Sequence, residues 1–341
     1  MLIKRGLYIK MMNNLLKSFK YLTKKKQNVV PVIDFFQNHK IFIGSLKTIT
    51  FTLSALVRNL KSKTIFLPAS FMYIWYMQIS PPKHLAAFIR HYIFLENSEK
   101  TIRSLRLFTD GSSGLILSGD MNLYSGISGD KMPLSFFYGV LNGYKDFSSK
   151  DKFSLIAVVF QPYFLNIILN TSAREISNQT VSVEDVLKNK LQTFQEQLFN
   201  KISPLHIIND LNLFFTHFLS ESMHKDHQII AASQQYILQN KGLVTSGDLE
   251  KFTGYSERHL ERKFEFHMGM SPKKYSNIIR LHYFLSLINR SADHKNMATF
   301  SYEAGYSDQS HLIREFKNNT GLTPKQYLNT ENKMAVNFIE L

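Results

Sequence analysis

The sequence predicts an α+β chain: an N-terminal mixed strand-and-helix domain, sensor-like in its proportions, followed by an all-α region built as a double helix-turn-helix. Two observations carry this. Short strand-like runs broken by Gly, Ser and Asp fill the middle of the chain and then give way to helical patterns. Near the end, one stretch occurs twice. Residues 254–275 read GYSERHLERKFEFHMGMSPKKY, and residues 305–327 read GYSDQSHLIREFKNNTGLTPKQY. With one extra residue in the second copy they share Gly-Tyr-Ser, Leu260/Leu312, Arg262/Arg314, Phe264/Phe316, Gly269/Gly321, Pro272/Pro324, Lys273/Lys325 and Tyr275/Tyr327. Such self-similarity marks a duplicated supersecondary unit.

Taken in order, residues 1–76 are a basic leader without repeated cap or turn signals, holding 13 Lys/Arg against one acidic residue, Asp34. Its apolar stretch at 65–77 is short for a membrane span and is broken by Pro68. Three readings stay open for it: a basic, partly disordered arm, a membrane-proximal segment, or sequence upstream of a start at Met72 or Met77. Residues 77–220 read as a sensor-like or dimerisation domain. Ser80 with Leu85, Phe88, Ile89 and Tyr92 at helical spacing predicts a helix over 80–92. Strands are expected at 103–108, 114–117, 134–140 and 153–160, with tight turns at Asp110-Gly111 and Asn142-Gly143. Helices are expected over 162–169 and again within 187–219. Residues 221–228 read as a linker, 229–330 as the doubled unit, and 331–341 as a tail.

Within one copy, residues 245–252 predict a short helix with Leu249 and Phe252 turned inward, and Gly254 supplies the tight turn. Ser256 is placed to cap the next helix, whose buried stripe is Leu260 and Phe264. Arg258, Glu261 and Arg262 fall largely on the opposite side, where they can reach a groove. Gly269 ends that helix, and Ser271-Pro272 opens the next. In the second copy Gly305 turns, Ser307 or Asp308 caps, Leu312 and Phe316 pack, and Gln309, His311 and Arg314 point outward. Gly321 terminates, and Thr323-Pro324 restarts.

At these residues the chain resembles the AraC-type (AraC/XylS) family of bacterial transcriptional regulators, over about 100 residues from 229 to 327. The resemblance implies two three-helix modules joined by a long helix at 272–290, roughly 28 Å at 1.5 Å per residue, against the ~34 Å between successive major-groove faces. It places base contacts on Arg258, Glu261 and Arg262 in the first module and on Gln309, Ser310, His311 and Arg314 in the second. Arg suits guanine, Gln adenine, and Glu can accept from cytosine. Lys263, Lys273, Lys274, Lys317 and Lys325 fall to phosphates. The plain alternative for each is a solvated surface charge. The middle region resembles the N-terminal domain of some of these regulators at Ser80-Pro81-Pro82, Thr109-Asp110-Gly111, 157–162, 175–177 and 183–186. It departs where Thr109 stands in place of a common Pro.

Composition trims the rest. The net charge of +15 belongs mostly to the leader: residues 77–240 balance at 14 basic and 14 acidic, and 241–330 carry 13 against 9. No cysteine is present, which removes disulfide and redox-switch chemistry and suits a bacterial cytoplasm. No nucleophile elbow, phosphate loop or His-Glu-x-x-His occurs, and no His lies between His91 and His206, so no enzyme, cofactor or metal is expected. His217, His224 and His227 could group around a metal, but read more simply as exposed polar residues. The expectation is a cytoplasmic, sequence-specific DNA-binding regulator. Its partners would be double-stranded DNA and RNA polymerase, with room for a small-molecule effector of unknown kind and a homodimer. Against it stand an architectural DNA-binding protein and a membrane-tethered regulator.

Overall fold

Two antiparallel sheets share one core. The first runs, in spatial order, β1 (Ile74–Ile79), β2 (Ile89–Asn97), β8 (Phe153–Phe160), β4 (Gly114–Ser118), β6 (Ser135–Tyr138) and β9 (Thr180–Ser182). The second runs β10 (Lys333–Ala335), β11 (Phe338–Glu340), β3 (Arg103–Phe108), β7 (Tyr144–Ser149) and β5 (Leu123–Ser125). The computed structural model describes residues 74–97, 103–119, 122–126, 128–200, 202–222, 227–290, 297–330 and 333–341. The leader at 1–73 and His224 lie outside the described residues. Ile74, Trp75 and Tyr76 belong to β1 along with Met77, opposite Asn97, Glu96 and Leu95 of β2.

β8 reads FSLIAVVF without alternation because both faces of the first sheet are covered. Leu155 and Ala157, with Leu95 and Phe136, pack against Leu105 of the second sheet. Ile156, Val158 and Phe160 face α1 (Phe164–Leu169), α3 (Gln192–Phe199) and α4 (Pro204–Ser222). A short α2 (Val183–Leu187) follows β9, capped by Ser182.

The helix expected over 80–92 is not formed. Only a single 3-10 turn at Lys83–Leu85 is helical, and Ile89–Asn97 is β2, paired along its length with β8. A strand buried on both faces places apolar residues at successive positions, so Leu85, Phe88, Ile89 and Tyr92 imitate a helical stripe. The β-branched and aromatic run IRHYIF then follows the sheet. The strands expected at 103–108, 114–117, 134–140 and 153–160 form as β3, β4, β6 and β8.

The helical region holds α5 (Gln228–Gln239), α6 (Ser246–Thr253) and α7 (Glu257–Met268), then α8 (Pro272–Arg290), then α9 (Met297–Glu303), α10 (Gln309–Thr320) and α11 (Pro324–Asn329). Each module has its own core. Ile230, Ile237, Leu249, Leu260, Phe264 and Met268 fill the first. Phe284, Tyr306, Leu312, Phe316 and Tyr327 fill the second. Of the tail expected over 331–341, residues 333–341 are structured, because β10 and β11 extend the second sheet along the edge of β3.

Candidate nucleic-acid interface and cavity

The turn of the first module is built from both ends. Thr245 and Asp248 form a reciprocal capping box at the start of α6, and Gly254 at φ 75° closes it. Ser256 sits at the N-cap of α7 but its side chain makes no capping bond. The carboxylate of Glu250 takes that part, accepting from the Glu257 amide at 2.6 Å. Phe252, expected inward, is 47% exposed. Its ring stacks on Tyr236 at 4.3 Å instead, because an eight-residue helix buries only the narrow stripe at Leu249. In the second module Asp308 is the cap, accepting from the His311 amide at 2.8 Å. That bond holds its carboxyl below the usual range.

Both second helices, α7 and α10, then split cleanly by face. Leu260, Phe264, Leu312 and Phe316 are buried. Arg258, Glu261, Arg262, Gln309, Ser310 and Arg314 are all exposed. His311 is half-buried, edge-on to Tyr306 and 3.6 Å from Glu315. Lys273, Lys317 and Lys325 are exposed, and Lys263 is half-buried. Lys274 is turned away from the others: its ammonium bonds the side chain of Asn142 in the sheet domain, and burial lowers its pKa.

A charged network that the repeat pattern did not reveal fixes α10 to α8. Arg280 pairs with Glu315 at 2.8 Å and lies over the Tyr306 ring at 4.5 Å, while the Tyr306 hydroxyl donates to Glu315 at 3.1 Å. The signal was an Arg and a Glu both at core-flanking positions, but their pairing is set by tertiary packing.

The sheet domain touches the ends of both α7 and α10. At α7, the Ala173 amide donates to the Phe266 carbonyl at 2.7 Å, and His267 Nδ1 meets Asn166 Oδ1 at 2.9 Å. At α10, Arg106 is held by two 2.6 Å bonds to Asp146 and donates to the Thr320 carbonyl at 3.3 Å, a cation at the negative end of a helix. The glycines ending these helices, Gly269 and Gly321, both have φ 72°. A Cβ at Gly269 would stand 2.7 Å from the Ala173 carbonyl oxygen, and one at Gly321 would collide with the Arg106 guanidinium. On α8, His282 Nε2 donates to the Thr109 carbonyl at 2.9 Å.

Between the two sheets lies a cavity in which the centre of a water-sized sphere has about 110 Å³ of free space. Its walls are mostly apolar, with Leu95, Leu105, Phe136 and Phe147 among them. The polar side chains of the lining include His91, Asp110, Ser112, Tyr138, Lys145 and Asn337. Arg90 pairs with Asp110 at 3.0 Å. Burial drives the His91 pKa down to about 4, with Arg90 adding to the fall and Asp110 opposing it. Burial likewise lowers Lys145 and His282. For Asp110, burial favours the neutral acid but is outweighed by Arg90, His282, the Ser112 amide and His91, so its carboxyl stays below the usual range. Among the described residues no cluster of three or more His, Cys, Asp or Glu could hold a metal ion, and no helix is long and apolar enough to cross a membrane.

Residues 249–330 match the family model of a helix-turn-helix domain, and residues 77–182 match a domain of unknown function, DUF6597. An uncharacterized HTH-type transcriptional regulator of Bacillus subtilis, YbfI, is 27% identical over 156 residues, 44% of this chain and 52% of that protein. A second, SAS0078 of Staphylococcus aureus, is 22% identical over 134 residues, 38% of this chain and 18% of that protein. The chain thus spans about half the length, or less, of these relatives. Among solved structures, ToxT from Vibrio cholerae aligns at 13% identity over 69% of this chain and 97% of its own, with a TM-score of 0.42. A probable AraC family transcriptional regulator from Rhodopseudomonas palustris aligns at 23% identity over 29% and 92%, with a TM-score of 0.27. Scores this low carry no argument about either domain.

Proposed function

We propose that residues 249–330, which match the helix-turn-helix family model, form an AraC-type domain and that the chain is a transcriptional regulator that reads DNA sequence with α7 and α10 in successive major grooves. The observation that carries this reading is the double split of faces: each recognition helix buries its Leu and Phe stripe and leaves an exposed Arg, Arg262 or Arg314, at the equivalent position. Arg258 and Glu261 in α7, with Gln309, Ser310 and His311 in α10, supply the remaining base-edge contacts. Lys263, Lys273, Lys317 and Lys325 serve the phosphates, so affinity falls steeply with salt as counterions are released. Lys274 joins them only if it leaves Asn142. The cavity between the sheets takes a small, largely apolar effector whose polar end meets the His91 and Asp110 rim. On this reading the chain is a regulator rather than an enzyme. A cytoplasmic setting, contact with RNA polymerase and a homodimer fit the same reading.

Binding-site sequencing on fragmented genomic DNA tests it. The expected result is discrete sites with two short elements about one helical turn apart, roughly 10 bp. Diffuse recovery that unrelated competitor DNA abolishes would make the chain an architectural DNA-binding protein instead. Recovery of the chain in the membrane fraction would favour the tethered form.

A further inference from the structure

The hairpin at 333–341 belongs to three structures at once. Its strand β11 extends the second sheet, with Phe338, Ile339 and Glu340 opposite Leu107, Arg106 and Leu105 of β3. The Leu341 amide donates to the Ser104 carbonyl at 2.9 Å, and Arg103 pairs with Glu340 at 2.6 Å with both side chains largely buried. Asn337 is tied to Phe108 both ways: the Phe108 amide donates to its carbonyl at 3.0 Å, and its side-chain amide donates to the Phe108 carbonyl at 3.1 Å.

Successive residues of a strand point to opposite faces. Here that alternation puts Phe338 into the wall of the cavity and Ile339, fully buried, into the core of the second module beside Phe316 and Tyr327. Phe108 does the same from β3: it lines the cavity, packs in the second module's core, and stands edge-on to Tyr327 at 6.2 Å. The Tyr327 hydroxyl donates to the Val336 carbonyl at 3.2 Å. Among the described residues, β3 and β11 are the strands that place a residue in that core. The first module's core instead takes Val140 and Tyr163, from segments flanking β6 and α1.

We propose that residues 333–341 couple the cavity to the second module: a molecule that fills the cavity presses on Phe338, and Ile339 on the opposite face of the same strand passes the change to the packing of α10. This rests on the cavity being an effector site. It makes the second recognition helix the responsive one and leaves the first as a fixed anchor.

Hydrogen exchange on the full chain, with and without the apolar fluorescent probe 1-anilinonaphthalene-8-sulfonate, tests the coupling without DNA. Saturable probe binding should change exchange in 333–341 and in α10 by about fivefold or more, with a clearly smaller change in α7. In Phe338→Ala the probe should still bind while the response of α10 is lost. A chain cut after residue 330 should behave likewise if it folds; the single substitution decides the matter if it does not. Equal responses in α7 and α10, no response in α10, or an unchanged response in Phe338→Ala would each overturn the coupling. Failure of saturable binding would remove the cavity reading and the coupling together. Failure to read DNA sequence would leave this measurement untouched.

Discussion

In the first module the tyrosine after the turn glycine, Tyr255, lies 42% exposed, stacked on His259 at 4.6 Å. In the second module its counterpart Tyr306 is 2% exposed, edge-on to His311 and bonded to Glu315. The same pattern of turn, aromatic and histidine is thus set on the surface once and in a core once. The difference follows from what stands three residues after the stripe leucine. In α7 it is Lys263, half-buried; in α10 it is Glu315, which draws Arg280 from α8 and the Tyr306 hydroxyl into one network. A duplicated sequence pattern fixes the shape of a module, while single substitutions at its flanks decide how each copy is held.

That contrast can be broken most sharply at Glu315. Its replacement by Ala leaves Arg280, a largely buried guanidinium, without its partner, and should cost about 3–5 kcal/mol in urea unfolding. Lys263→Ala, the matching change in the first module, should stay within about 0.5 kcal/mol. Equal losses would mean that the network adds nothing specific to the second module.

The shared rim of the cavity and α8 should respond to acid. His91 is held near 4 against an ordinary 6.5, and His282 is lowered as well. Between those values the unfolded chain binds protons that the folded one refuses, so stability should be flat above about pH 6.5 and fall toward pH 4. With Arg90 and Asp110 facing His91, the loss is on the order of 3 kcal/mol. Replacing His91 with Gln should flatten the profile, and an unchanged slope would place the acid sensitivity elsewhere.

The two capping glycines give the smallest contrast. Ala at either position costs about 1–2 kcal/mol for the left-handed backbone alone. Gly269→Ala should be the worse, since its neighbour is the Ala173 main chain, whereas Gly321 faces the Arg106 side chain, which can move. A midpoint shift of equal size in both would show that docking of the sheet domain does not sense these sites.

Much of the doubled unit was legible because its signals are local. Pro272 at the first helical position and the glycines at 254, 269 and 321 set boundaries that the structure keeps, and α8 runs from Pro272 to Arg290 as the resemblance implied. The strands at 103–108 and 153–160 were equally plain. What escaped was decided at long range. β2 imitates a helix until β8 pairs with it, and β11 is three residues that form a strand between β10 and β3. Glu250 replaced Ser256 as the cap because α6 and α7 pack so that its carboxylate reaches the Glu257 amide. For the interface, exposure of Arg262 and Arg314 could be read from the buried stripe, while the turn of Lys274 toward Asn142 depends on a docked domain that no local pattern announces.

The most direct measurement is selection of binding sites from randomised DNA by three proteins: the unaltered chain, Arg262→Ala and Arg314→Ala. If the two modules read separate grooves, each substitution costs about 1–3 kcal/mol and relaxes base preference in a different element, the two lying roughly 10 bp apart. Relaxation of the same element by both, or preferences left unchanged by either, would contradict the account.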